Sequence, residues 1–202
     1  MGACLILVLS STNSNTSSNL TENKKTETTM KVYDLDLNFL SGDKLNWDDF
    51  KGKRIIFVNV ASKCGLTPQY ETLESIYKEL DKEKYAIIGV PANNFLKQEP
   101  GNADKIESFC QMNYGVTFPI LEKVYVSDYV YLSYPPKKDN SEKVETSPLY
   151  EYLTKKEKNG VMDIEMTWNF QKIFVNESGE VYAYLEPKEI DASTILETFL
   201  QQ

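Results

Sequence analysis

Two short and almost uninterrupted apolar segments, at residues 55–60 and 86–91, constrain the fold of this chain most strongly. A strand is apolar at nearly every position when both of its faces are covered, as in the middle of an α/β sheet. Between these segments, residues 68–80 carry apolar side chains at helical spacing. Strand, helix and strand in this order predict two neighbouring parallel strands joined by a right-handed crossover.

The rest of the chain continues this alternation. Helical spacing predicts helices over residues 103–112 and 148–155, and a last helix with Asp191 or Ser193 as its cap. The predicted extended segments and turns are residues 32–39 with a turn at 41–43, a helical turn at 47–50, an extended stretch at 120–126, and a hairpin of residues 170–175 and 180–185. We therefore predict an α/β fold in which helices flank a central mixed β-sheet. The fold is also expected to contain an N-terminal β-hairpin.

The first 30 residues differ in composition from the remainder. A short apolar run, residues 3–9, precedes a Ser-, Thr-, Asn- and Lys-rich tract that is too polar to bury a core. The run is too short to span a membrane, and three interpretations remain open: an atypical secretory signal, an inert tail, or a start lipidated at Gly2 and Cys4 without the usual Ser or Thr at position 6. We predict a disordered segment over residues 1–30 and one folded domain over residues 31–202, in a protein that is either cytoplasmic or exported.

The chain contains no histidine and has a net charge of −8. Without histidine, Ser-His-Asp and Cys-His catalysis and imidazole-based metal sites are excluded. The three cysteines form no C-x-x-C pair, so a zinc site is not expected either. A negative surface repels phosphate backbones, which disfavours nucleic acid as a partner. We predict that the protein uses neither a metal nor another cofactor.

Cys64 is the strongest candidate for chemistry. It follows the predicted strand at residues 55–60 and precedes the helix that begins near Pro68. Unpaired N–H groups at a helix N-terminus favour a thiolate, Lys63 adds positive charge, and Gly65 permits a close backbone approach. From this context alone, a reactive thiol and a small buried apolar residue remain equally open.

Four segments resemble the active-site segments of glutathione peroxidases in sequence, order and spacing. They are residues 58–70 (VNVASKCGLTPQY), 97–101 (KQEPG), 109–119 (FCQMNYGVTFP) and 168–170 (WNF). The resemblance covers approximately residues 32–200. It implies a thioredoxin-like fold and a peroxidase that reduces hydrogen peroxide or organic hydroperoxides.

The resemblance also implies roles for individual residues. Cys64 would be the peroxidatic residue, and Gln98, Trp168 and Asn169 would direct side-chain N–H groups at its sulfur. Neutral donors can stabilise a thiolate, and the charge that develops as the O–O bond breaks, where no imidazole is available. Trp168 has a competing structural role as a core aromatic residue. Cys110 occupies the position of the resolving cysteine of many non-selenium members, with a buried helix residue as the alternative.

Thioredoxin or glutathione would regenerate the enzyme, and we favour thioredoxin because no sequence pattern marks basic residues for glutathione. The short stretch between Leu153 and Trp168 resembles that of family members that lack the tetramer-forming loop, which favours a monomer. A peroxide sensor that passes oxidation to a partner is the alternative function. A disulfide oxidoreductase is disfavoured by the absence of a C-x-x-C pair.

The chain departs from the family pattern at three places. Ala92 stands where the family usually has a cysteine, so this position cannot resolve a sulfenic acid. Leu96 stands where the family has glycine, a change that can shift the loop carrying Gln98. Residues 129–145 are longer than the family's usual connection, and their composition predicts an irregular surface insertion.

Overall fold

The structure, a computed structural model, describes residues 30–200. The predicted disordered segment, with Cys4, lies outside these residues apart from Met30. No helix within residues 30–200 has both the length and the hydrophobicity that a membrane crossing requires.

The order of the elements follows the predicted alternation of strands and helices. The strands are β1 (Arg54–Val60), β2 (Tyr85–Pro91), β3 (Tyr129–Tyr131), β4 (Ser141–Lys143), β5 (Lys172–Val175) and β6 (Val181–Leu185). The helices are α1 (Gln69–Glu79), α2 (Ala103–Tyr114), α3 (Pro148–Thr154), α4 (Lys156–Asn159) and α5 (Ala192–Leu200), with 3-10 turns at Val32–Asp34, Trp47–Asp49 and Lys138–Asn140.

A mixed sheet with the strand order β2-β1-β5-β6 forms the centre of the fold. Strands β1 and β2 are parallel, whereas β5 is antiparallel to both β1 and β6. Side chains of β1 alternate between two apolar clusters, with Phe57 on the α3 side and Ile56 on the side of α1, α2 and α5. Coverage of both faces explains the continuous apolar runs, and the predicted mixed sheet with flanking helices is confirmed.

The helix termini use local hydrogen bonds as expected from the sequence. The side chain of Asn102 accepts the N–H of Lys105 at the start of α2, and Gly115 ends this helix in the left-handed conformation at φ 57°. At the start of α5, Asp191 Oδ1 accepts the N–H of Thr194 at 3.0 Å. Of the two predicted caps, Asp191 is therefore the one used.

The predicted N-terminal hairpin is reduced to a tight turn. Two backbone bonds of 2.8 Å, from Phe39 to Asp43 and from Leu45 to Leu37, flank this turn, but residues 32–39 do not form a strand. The backbone of the turn also pairs with a distant part of the chain. The N–H of Leu40 donates to the carbonyl of Ile120 at 2.9 Å. The local pairing is thus shorter than predicted, and tertiary pairing accompanies it.

The prediction that residues 129–145 have no regular structure is wrong. Strands β3 and β4 form an antiparallel hairpin in which Tyr131 pairs with Ser141. Val130 and Tyr131 are buried by the rest of the protein, which stabilises strands that are too short to be stable alone.

Candidate active site

Cys64 lies in tight turns between the end of β1 and the start of α1, a segment that we call the cysteine loop (residues 61–68). Thr67 Oγ1 accepts the N–H of Cys64 at 3.1 Å and lies 2.7 Å from the Cys64 carbonyl oxygen, which fixes the turn. The N–H of Leu66 donates to the Cys64 sulfur at 3.4 Å. Cys64 is 8% exposed, and an N–H donor interacts more strongly with a thiolate than with a thiol.

The loop that carries Gln98 is bonded directly to the cysteine loop. The N–H and the hydroxyl of Ser62 donate to the same carboxylate oxygen of Glu99, at 2.8 and 2.9 Å. The N–H of Lys63 donates to the carbonyl of Gln98 at 3.0 Å. Burial raises the pKa of Glu99, while the Ser62 hydrogen bonds and the Lys123 ammonium oppose this shift. These bonds fix Gln98 beside the loop that carries Cys64.

Leu96 takes up the left-handed conformation that glycine adopts most readily. Leu96 and Lys97 both have a φ of 51°, a conformation that costs an L-residue roughly 1–2 kcal/mol. The Leu96 N–H donates to the carbonyl of Tyr131 at 2.8 Å, so contacts with the β3–β4 hairpin help to hold the strained turn. The chain therefore keeps a glycine-like turn at this position without a glycine.

Trp168 and Asn169 lie in a turn before β5 that is fixed by Asn59. Asn59 is fully buried in β1, where its Nδ2 donates to the Trp168 carbonyl at 3.0 Å and its Oδ1 accepts the N–H of Gln171 at 2.9 Å. Phe170 has a left-handed φ of 69°, which turns the chain sharply. One amide side chain of the central strand thus sets the position of this turn.

Asn169 and Gln98 meet through their side chains. Asn169 Nδ2 donates to Gln98 Oε1 at 2.8 Å, although the two residues are distant in sequence. Because Gln98 accepts through its oxygen, its amide nitrogen remains available as a donor. Asn169 Oδ1 is buried and has no partner among the described groups. A buried acceptor without a partner is uncommon in a folded protein.

Trp168 packs against the core and also faces a cavity. Its ring centroid lies 5.3 Å from that of Phe95, and its side chain borders both apolar clusters. It also lines a cavity of about 620 Å³, together with Gly65 and Leu66 of the cysteine loop. Both of the roles considered for Trp168 are therefore compatible with its position.

Cys110 lies on the inner face of α2 and is 1% exposed. Cys64 and Cys110 are both free thiols and belong to the same apolar cluster. Burial raises the pKa of Cys110 to about 11, and the neighbouring Tyr70 hydroxyl opposes this shift to a smaller extent. That hydroxyl forms no regular hydrogen bond within residues 30–200. Cys110 is thus a protonated thiol as long as α2 is docked.

Three residues that position the site were missed by the sequence analysis: Asn59, Thr67 and Glu99. A usable signal exists for Asn59, because it is the single polar residue in the apolar run at residues 55–60. Thr67 and Glu99 act through residues that are close only in space, and we find no local pattern that marks them. In the part of the chain that the structure describes, no three Cys, Asp or Glu side chains are grouped to hold a metal ion.

Comparisons of sequence identify the family. Residues 32–130 match the family model described as Glutathione peroxidase. "Glutathione peroxidase-like peroxiredoxin 2" of Saccharomyces cerevisiae is 42% identical over 154 residues, which cover 76% of this chain and 85% of the relative. "Glutathione peroxidase" of Lactococcus lactis is 37% identical over 159 residues, which cover 79% of this chain and 91% of the relative.

Comparisons of structure agree with this result. The crystal structure of Trgpx in apo form has a TM-score of 0.55 and 29% identity, covering 85% of this chain and 97% of the other. A thioredoxin family protein from Chlorobium tepidum, with a TM-score of 0.54 and 15% identity, covers 83% and 93% and shows the fold alone. The predicted thioredoxin-like fold is confirmed, and the chain belongs to the glutathione peroxidase family, as a thiol peroxidase.

Proposed function

We propose that this protein reduces hydrogen peroxide and organic hydroperoxides with Cys64 as the nucleophile. The observation that carries the proposal is the Leu66 N–H on the Cys64 sulfur, next to the cavity that Trp168 lines. The thiolate attacks the terminal peroxide oxygen, so that an S–O bond forms while the O–O bond breaks. Sulfur loses two electrons and becomes a sulfenic acid, and the leaving oxygen takes up a proton and departs as water or an alcohol.

Charge moves from sulfur to the leaving oxygen in this step, so donors beside the O–O bond lower the barrier. Gln98 retains its amide nitrogen for this purpose because its oxygen is engaged by Asn169. The indole N–H of Trp168 is the second donor. Asn169 positions the Gln98 amide through the hydrogen bond between their side chains.

Cys110 resolves the sulfenic acid. Its thiolate attacks the Cys64 sulfur, an S–S bond forms as the S–O bond of the sulfenic acid breaks, and the departing hydroxide takes up a proton and leaves as water. Helix α2 first unfolds locally, since its cysteine is buried and protonated in the docked state. Such unfolding costs less free energy than global unfolding because only Ile106 and Cys110 of this helix are buried. Thioredoxin, or glutathione as the alternative reductant, then reduces the disulfide by thiol exchange and becomes oxidised itself.

Steady-state turnover with NADPH, thioredoxin reductase and thioredoxin tests this cycle. The wild-type chain should consume NADPH continuously after hydrogen peroxide is added. Cys64→Ser should abolish consumption, and Cys110→Ser should be oxidised once without cycling. Cys4→Ser is the matched control and should cycle normally. Activity in Cys64→Ser would refute the mechanism, and normal cycling in Cys110→Ser would refute the resolving role.

A peroxide sensor would use the same two cysteines. The assay separates the two functions, because a sensor is oxidised once and then waits for its partner. Complete oxidation of Cys64 without sustained turnover by either thioredoxin or glutathione would favour the sensor.

A further inference from the structure

The β3–β4 hairpin is anchored on the loop that carries Gln98. Asn94 is fully buried, and its Nδ2 donates to the carbonyl of Tyr129 at 2.8 Å. The backbone N–H of Tyr131 donates to the carbonyl of Asn94 at 2.6 Å, and Leu96 donates back to Tyr131 at 2.8 Å. These bonds fix the hairpin relative to the active-site cavity. The match with the family model ends at residue 130, before the tip of the hairpin.

The tip of the hairpin, residues 134–136, forms part of the cavity wall. Tyr134, Pro135 and Pro136 line the same cavity as Leu66 and Trp168. The rings of Tyr134 and Trp168 are 4.7 Å apart and nearly perpendicular, at 72°. Tyr134 is nevertheless 61% exposed, so much of its surface remains free to contact a ligand.

The size and charge of the cavity favour a neutral organic molecule. Its volume of about 620 Å³ lies within the roughly 300–1,000 Å³ of ligand pockets, whereas a water molecule occupies about 30 Å³. Hydrogen peroxide would fill only a small part of it. The charged lining residues, Glu186 and Lys188, are of opposite sign, so the lining carries no net charge that would attract an anion.

We propose that the hairpin tip is a specificity element, in which Tyr134 holds the apolar body of a neutral organic hydroperoxide against Trp168 while its O–O group reaches Cys64. This inference rests on the proposed function and adds the preferred class of substrate. Hydrogen peroxide has no apolar body, so removal of the Tyr134 ring acts more strongly on organic hydroperoxides.

The test measures second-order rate constants for the oxidation of Cys64 by cumene hydroperoxide and by hydrogen peroxide, in single turnover. The readout is the rate constant for cumene hydroperoxide divided by the rate constant for hydrogen peroxide. Tyr134→Ser should lower this ratio about tenfold, and Tyr134→Phe, which keeps the ring, should restore it. Tyr184→Ser removes an exposed tyrosine that does not line the cavity. This control should keep the ratio within about twofold.

Each outcome has a distinct meaning. A ratio unchanged in Tyr134→Ser, or an equal loss with both peroxides, would overturn the specificity role. So would a wild-type chain that reacts with hydrogen peroxide but not with cumene hydroperoxide, although the proposed peroxidase function would survive. A wild-type chain whose Cys64 reacts with neither peroxide would refute both proposals.

Discussion

Raising the pH should accelerate the condensation of Cys110 with oxidised Cys64. The attacking species is the thiolate, and burial raises the pKa of Cys110 from the ordinary 9.0 to about 11 while α2 is docked. Local unfolding of α2 exposes the thiol and returns its pKa to the ordinary value. Because the docked thiol holds its proton more tightly, raising the pH from 9 to 11 also weakens the docking of the helix.

The size of both effects follows from the two pKa values. At pH 7 roughly one docked thiol in 10⁴ is ionised, against about one in 10² when the helix is undocked. Undocking therefore increases the thiolate fraction about a hundredfold, in addition to freeing the sulfur to move. Between pH 9 and pH 11, ionisation removes about 3 kcal/mol from the free energy of docking.

Single-turnover oxidation followed by intact-protein mass spectrometry measures this step. The sulfenic acid appears as the gain of one oxygen, and the disulfide as the loss of two hydrogens. The rate constant for disulfide formation should rise about tenfold per pH unit from pH 6 to pH 8, because the docked and protonated thiol is the ground state throughout this range. Cys110→Ser should accumulate the sulfenic acid at every pH.

Two results would contradict this reasoning. A condensation rate that is constant between pH 6 and pH 8 would exclude attack by the Cys110 thiolate. A disulfide that still forms at the wild-type rate in Cys110→Ser would exclude Cys110 as the attacking residue.

Three further predictions concern the residues that support the site. Asn59→Ala should lower the free energy of unfolding by about 2–4 kcal/mol, because the Trp168 carbonyl and the Gln171 N–H lose their partners; a loss below about 1 kcal/mol in urea titrations would contradict the role of this side chain. Burial lowers the pKa of Lys172 from 10.5 to about 8, so the unfolded chain binds more protons at this group between these values. The contribution of Lys172 to the free energy of unfolding should therefore rise with pH by about 3 kcal/mol across that window, against the opposite contribution of Cys110 above pH 9. In urea unfolding between pH 8 and pH 10, the free energy of unfolding of the wild type minus that of Lys172→Met should increase with pH, and a constant difference would refute the prediction. Leu96→Gly should relieve left-handed backbone strain and raise the free energy of unfolding by about 1 kcal/mol in urea titrations. A decrease of that size would show that the contacts of the leucine side chain stabilise the protein more than the left-handed conformation destabilises it.

The central strands could be predicted because their local composition indicates that both faces are buried. Residues 55–60 and 86–91 are apolar on both faces, and the structure covers both faces of β1 and β2 with side chains from the helices and loops. The extent of the N-terminal hairpin could not be predicted, since part of its backbone pairs with Ile120, which is distant in sequence. Local alternation indicates an extended chain but does not identify its hydrogen-bonding partner.

In the candidate site too, features that depend on local sequence could be predicted and features that depend on distant residues could not. Cys64 was identifiable from its place between a strand and a helix, together with the family resemblance. The β3–β4 hairpin was not, because the amide of Asn94 anchors it from another loop. Asn59 could have been recognised, since a buried strand rarely contains a lone amide unless that amide forms tertiary hydrogen bonds.

Peptide mapping of the reduced protein after treatment with one equivalent of hydrogen peroxide tests the central claim most directly. The mechanism predicts a disulfide between the peptides that contain Cys64 and Cys110 in the wild type, and a sulfenic acid on Cys64, trapped by dimedone, in Cys110→Ser. Consumption of peroxide while Cys64 remains a free thiol would contradict the assignment of this sulfur as the nucleophile.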